Sequence, residues 1–153
     1  MALGIVAILD TLQSHAAASG YFDGPVGTHE PKQAPGNGLS CAIWVQSIGP
    51  TPGSSGLAAT SGRIELNVRL FTSMLQEPQD AIDTNLLLAV DALLAAYSGD
   101  FELGGNVRAV DLLGEAGTAL SAKAGYLNQD GKEFRVMTIV LPVLINDIWG
   151  QAA

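Results

Sequence analysis

Two segments of the chain carry apolar residues at the spacing of an amphipathic helix. Within residues 2–18, apolar side chains recur every three or four positions, and Gly20 lies just beyond the last of them. A second helix is predicted over residues 79–98, with Pro78 ahead of its first turn and Gly99 past its end. The chain is therefore expected to contribute two helices to its fold.

The distal half of the second helix, residues 86–97, is apolar nearly all round and is broken chiefly by Asp91. A helix of this kind is covered on more than one side. In one small domain, the second cover is expected to be a neighbouring subunit. The residues predicted here for subunit contact are Leu86, Leu87, Val90, Leu94 and Tyr97.

Strict alternation of apolar and polar residues predicts two early strands, over residues 39–48 and 63–70. In the second, four aliphatic residues point one way, while Arg63, Glu65, Asn67 and Arg69 point the other way. One face of the sheet is thus predicted to be polar and open to water or to a polar partner.

Stretches rich in glycine and proline separate these elements. Residues 23–38 predict a loop with a short strand around Phe22 or Val26, and the uncharged residues 49–62 predict a mobile excursion between two strands.

The C-terminal third predicts three further strands, over residues 107–113, 120–126 and 134–145. Asp130-Gly131 predicts a tight hairpin turn between the last two strands, because both central positions of such a turn need positive φ. Pro142 has no N–H to donate, so pairing is expected to be interrupted there. The prediction is one α+β domain over residues 1–153. It has a mixed or antiparallel sheet flanked by two helices, in the order α-β-β-β-α-β-β-β, ending in a β-hairpin.

Composition narrows the possible functions. Charged residues are 14% of the 153, against roughly 25% in typical soluble chains, so some apolar surface is expected to lie against another chain. The net charge of −8 has the wrong sign for binding nucleic acid through phosphates. A single cysteine excludes an internal disulfide and a thiolate zinc cluster. The apolar run at residues 2–9 follows no basic residue, so it does not predict a signal peptide, and it is too short to predict a membrane span.

Candidate catalytic groups are few and separated. The glycine-serine segment at residues 53–56 lacks the strand-turn-helix context of a nucleophile elbow. His15 is interpreted as a cationic or capping residue near a helix C-terminus, His29 as a solvated loop residue, and Cys41 as a buried small hydrophobe. We predict no enzyme activity, no cofactor and no metal site.

The chain also contains a long interval without a basic side chain, from Arg69 to Arg108. This interval is interpreted either as a solvated helix start and loop or as a negatively charged rim beside passing DNA. Its acidic residues are Glu77, Asp80, Asp83, Asp91, Asp100 and Glu102.

The closing strand-turn-strand, GYLNQDGKEFRVMTIVLPVLINDIW over residues 125–149, resembles the C-terminal end of tail terminator proteins from long-tailed bacteriophages. These are also called tail completion or minor tail proteins. The predicted element order is similar as well, with an N-terminal helix, a long loop between early strands, a second helix and a terminal hairpin.

The resemblance implies a homo-oligomeric ring, typically a hexamer. Such a ring caps the head-proximal end of the tail tube, ends tube polymerisation and meets the head–tail connector protein, with DNA passing through its lumen. It would be found in the virion tail or neck, and in the host cytoplasm during assembly, without a membrane or sequence-specific DNA as partner. On this basis Arg63, Glu65 and Arg69 join the candidate subunit contacts, the loops at 23–38 and 49–62 would meet the tube, connector or lumen, and the candidate lumen-facing acids are Asp80, Asp83 and Asp91.

Two other functions stay open at this point. The chain could be a tail tube subunit or another head–tail neck protein, which would polymerise further or need a portal partner. A more distant alternative is a small hydrolase or ligand-binding domain that uses Ser54, Ser55 and His29 in the glycine-rich loops.

Overall fold

The computed structural model describes residues 4–22, 26–28, 39–51, 59–73, 82–115, 117–129 and 131–150. Two helices pack on a five-stranded sheet, which confirms the predicted α+β class and the C-terminal hairpin. The elements in chain order are α1 (Ile5–Ser19), β1 (Leu39–Pro50), β2 (Ala59–Ser73), α2 (Ile82–Gly99), a 3₁₀ turn (Leu103–Gly105), β3 (Ala109–Val110), β4 (Ser121–Gln129) and β5 (Lys132–Gly150).

Strand β5 lies at the centre of the sheet. From Phe134 to Gly150 it pairs antiparallel with β2, which pairs in turn with β1, and its other edge pairs with β4 and then with β3. The β4–β5 hairpin closes where Gln129 faces Lys132, and Gly131 in the turn has φ of 74°. The Asp-Gly turn predicted from sequence therefore lies at its expected place, although Asp130 is outside the described residues.

Both helices pack on the same face of the sheet. The four aliphatic residues Ile64, Leu66, Val68 and Leu70 of β2 are fully buried there, as their alternation predicts. They join inward residues of β5 and one stripe from each helix in a single core. The helical contributions are Ile8, Leu12 and Ala16 from α1 and Leu86, Ala89, Val90, Leu93 and Tyr97 from α2.

Several predicted boundaries differ from the structure. Both early strands extend into the predicted 49–62 loop, since β1 continues to Pro50 and β2 begins at Ala59, and residues 52–58 lie outside the described part. Near Val26 the structure has one parallel bridge between Gly27 and Ala42 instead of a strand. β3 spans two residues, where seven were predicted.

The interruption of pairing predicted at Pro142 occurs on one edge of β5 only, where β4 pairs as far as Val140 and β3 pairs from Val143. On the other edge, Glu65 of β2 lies opposite Pro142 in an unbroken register. The N–H and C=O of one strand residue point to the same neighbour. The Pro142 carbonyl accepts from the Asp111 N–H at 2.9 Å, so its missing N–H would point to the edge opposite β2. There the proline coincides with the change of partner from β4 to β3.

Gly114 offers a test of the turn that follows β3. Its φ is 75°, and a Cβ atom would lie 2.7 Å from the Gly117 carbonyl oxygen and 2.9 Å from the Ala119 nitrogen. We expect Gly114→Ala to lower the free energy of unfolding by more than about 1 kcal/mol, because the alanine meets backbone in a left-handed conformation. Gly49→Ala is the matched control, since nothing lies within 4 Å of its added methyl group. Equal stability of the two variants in urea titrations would contradict this account of the turn.

Candidate functional site

Among the described residues, none forms a layer over the middle of the sheet face opposite the helices. The side chains of Arg63, Glu65, Asn67 and Arg69 lie on it, as their alternation with the buried residues of β2 predicts. One end of this face carries a small apolar cluster in which the rings of Phe71 and Phe134 meet edge to face at 6.4 Å. The other end is covered by the turn that follows β3, whose Thr118 carbonyl oxygen accepts a hydrogen bond from Arg63.

Arg63 is used within the molecule. Its guanidinium pairs with the Glu65 carboxylate, donates to the Thr118 carbonyl oxygen at 2.6 Å and lies 3.6 Å from a carboxylate oxygen of Asp111. Asp111 is itself buried and accepts from the Glu115 N–H at 2.8 Å. These contacts pair both charges within the chain, so Arg63 and Glu65 have a structural role at this end of the sheet. Their predicted part in subunit contact stays a prediction.

Arg69 is held differently, in the middle of the open face. Its Nε donates to Thr138 Oγ1 at 2.9 Å, and its guanidinium carbon lies 5.1 Å from the centre of the Trp44 ring. Cross-strand register places Thr138 between Arg69 on β2 and Lys123 on β4, so two cations flank one hydroxyl. Within the described ranges, no carboxylate oxygen lies within 4.0 Å of either cation.

A groove of about 460 Å³ runs along this row of residues between β2, β4 and β5. Arg69, Lys123 and Thr138 supply its polar groups, and its apolar wall includes Val136 and Val140. The sequence analysis selected Arg69 but missed Lys123 and Thr138. The missing information was register, since nothing in the chain alone tells which residues of β4 and β5 lie beside a given residue of β2.

The outer face of α2 presents the second feature. Leu87 and Leu88 are 56% and 50% exposed, and Asp91 is exposed on the following turn. The sequence prediction was wrong for Leu86, Val90 and Tyr97, which are buried in the protein's own core, and Leu94 is half-buried against it. Only Leu87 among the predicted helix contacts therefore stays available to another chain, with Leu88 added by the structure.

The acidic residues predicted to face a lumen are located only in part. Asp91 is exposed on α2, whereas Asp80 and the side chain of Asp83 lie outside the described residues. Neither α1 nor α2 contains a lysine or arginine. The two helices therefore present no Lys or Arg on their side of the sheet. The open sheet face carries Arg63, Arg69 and Lys123.

His15 connects the two helices. Its Nε2 lies 2.8 Å from Asp100 Oδ2, just after α2, and its ring meets the Tyr97 ring edge to face at 6.2 Å. The Gly104 N–H donates to Asp100 Oδ1 at 3.0 Å. This hydrogen bond first, and the one with His15 second, lower the pKa of the Asp100 carboxyl. The contact makes His15 a structural link between helices.

The other candidate reactive groups do not form a reaction centre in the described part of the chain. Cys41 is buried, and burial raises the pKa of its thiol to about 12, which disfavours the nucleophilic thiolate. Burial likewise raises the pKa of the Tyr97 hydroxyl. His29, Ser54 and Ser55 lie outside the described residues.

Comparison with known proteins identifies no family. The sequence matches no protein-family model, and no curated protein shows significant similarity to it. Across the described ranges, no three or more His, Cys, Asp or Glu side chains are grouped as metal ligands would be, and no helix is long and apolar enough to cross a membrane.

The His15–Asp100 contact predicts a specific pH dependence of stability. The Asp100 carboxylate is favoured in the folded chain, so its contribution is complete above the ordinary aspartate pKa of about 4 and is lost as pH falls through the lower folded pKa. Since the pair is partly exposed, we expect Asp100→Ala to cost less than about 1 kcal/mol at pH 7. The difference from wild type should shrink below about pH 4 in urea titrations.

Asp10→Ala is the matched control for this prediction, because Asp10 is an exposed acid on α1. Its difference from wild type should stay small at every pH. A stability gap for Asp100→Ala that is as large at pH 3 as at pH 7 would contradict the assigned role of the carboxylate.

Proposed function

We propose that this chain is a structural subunit of the tail terminator type, which forms a closed ring at the head-proximal end of a phage tail tube. The observation that carries the proposal is the pair of surfaces, on opposite sides of one charge-poor domain, that the described residues leave uncovered. These are the exposed leucines of α2 and the groove on the open sheet face. A subunit that repeats around a ring needs two such surfaces.

The resemblance of residues 125–149 to tail terminators gives this assembly its place in the virion. The long β5 strand and its hairpin with β4 form the framework of the sheet, in keeping with the element order of that family. In this proposal the ring ends tube growth, meets the connector protein and leaves a lumen for DNA, and the chain acts without catalysis or cofactor. The main alternative is a tail tube subunit, which would use similar surfaces in an open-ended polymer.

The mass of the chain in solution tests the proposal, together with negative-stain images of the same fraction. We expect closed rings of uniform diameter, hexameric by the resemblance, instead of a 15.8 kDa monomer. If the chain is monomeric by itself, it is then mixed with purified tail tubes. We expect the images of this mixture to show added density that caps one end of each tube. Open-ended tubes made from this chain alone would favour the tube-subunit alternative. A monomer that leaves tube ends bare would contradict the proposal.

A further inference from the structure

We propose that the ring contact is head-to-tail, with the outer face of α2 of one copy docked in the sheet groove of the next copy. The docking surface on α2 consists of Leu87, Leu88 and Asp91, and the receiving groove is bounded by Arg69 and Lys123. This inference rests on the proposed ring function and names the partner of each surface as a second copy of the chain.

Charge complementarity selects the partner. Arg69 is half-buried and Lys123 is exposed beside the groove, and neither has a carboxylate within 4.0 Å in the described part of the chain. Asp91 lies on a helix that contains no basic residue, and the described residues place no cation within 4.0 Å of it. Each surface therefore lacks the charge that the other supplies, and the pairing would bring one carboxylate between two cations.

Apolar contact accompanies this charge pairing. Leu87 and Leu88 precede Asp91 by four and three positions, so on a helix all three side chains lie on neighbouring parts of one surface. The groove offers Val136 and Val140 in its wall beside the two cations. Docking would remove two half-exposed leucines from water and place the aspartate at the polar side of the groove.

The position of the two surfaces determines the symmetry of the contact. Helix α2 packs on one face of the sheet, and the groove lies on the other face. A two-fold dimer would need both surfaces within a single interface, which this arrangement prevents. The contact is therefore heterologous, and repeated copies either close into a ring or continue as a filament.

Arg69 is already oriented for such a contact. The Trp44 ring on one side and Thr138 Oγ1 on another restrict its guanidinium, so little side-chain freedom is lost when a carboxylate arrives. A phosphate could use the same two cations. The apolar residues Val136 and Val140 beside the cations favour a carboxylate flanked by leucines, which a second copy supplies and a phosphate does not.

Charge reversal tests the contact with two complementary variants. Asp91→Lys and Lys123→Glu should each weaken self-association at least about tenfold, measured by sedimentation and light scattering, because each places like charges together. An equal mixture of the two variants should assemble again, since every contact in an alternating ring then pairs position 91 with the opposite charge at position 123. Asp10→Lys is the matched control, with the same change of charge on the exposed side of α1, and it should assemble like the wild-type chain.

Disulfide trapping tests the same contact in assemblies that are too weak to be detected by sedimentation or light scattering. A Leu88→Cys copy is mixed with a Lys123→Cys copy under mild oxidation, with the buried Cys41 changed to serine in both. Cross-linked dimers should exceed those of a control mixture of Leu113→Cys with Lys123→Cys, because Leu113 is exposed but lies outside the proposed surface.

The outcomes separate this contact from the ring itself. Rings that form normally in both charge variants, and give no cross-link above the control, would overturn the contact and leave the proposed function standing. Such rings would point instead to pairing along the outer edge of β4, which has no partner strand within the described residues. Single variants that stay apart when mixed would also overturn it. A wild-type chain that forms no ring and leaves tube ends bare, together with no cross-link above the control between the cysteine variants, would count against both proposals.

Discussion

The packing of both helices on one face of the sheet is the constraint from which the other features of this structure follow. A single core forms between the helices and the aliphatic sides of β1, β2 and β5. That core covers one face of the sheet, and the part of the chain that the structure describes puts no layer over the middle of the other face. An apolar cluster around Phe71 lies at one end of this face. At the other end, Arg63 pairs with Glu65 and with Asp111, which follows β3.

The central position of β5 links this arrangement to the groove. Because β5 pairs with β2 on one edge and with β4 on the other, it brings Arg69 and Lys123 to the same cross-strand row on either side of Thr138. Their separation along the chain is more than fifty residues, yet the register makes them neighbours. At Pro142, one edge of β5 changes its partner from β4 to β3. The pairing of β5 with β2 on the other edge continues unbroken past this point.

The two sides of the molecule differ in charge as well as in architecture. The helices carry acids and no Lys or Arg, whereas the sheet face carries cations, one group of which is neutralised within the fold. A domain with two unlike faces associates most simply by joining one to the other, which is the basis of heterologous assembly. The proposed role of Asp91 in such a contact replaces the lumen-facing position expected for it from sequence.

The sequence by itself determined the α+β class, the alternation that buries one side of residues 63–70, the turn near Gly131 and the burial of Cys41. Each of these depends on local periodicity or on the conformational preference of one or two residues. Only the tertiary structure decided that Leu86, Val90 and Tyr97 face the protein's own core while Leu87 and Leu88 face solvent, because the rotation of an apolar helix depends on what it packs against. The tertiary structure also decided that Arg63 forms ion pairs with Glu65 and Asp111, while Arg69 lines the groove together with Lys123. Those outcomes depend on strand register and on a distant turn, which no pattern along the chain encodes locally.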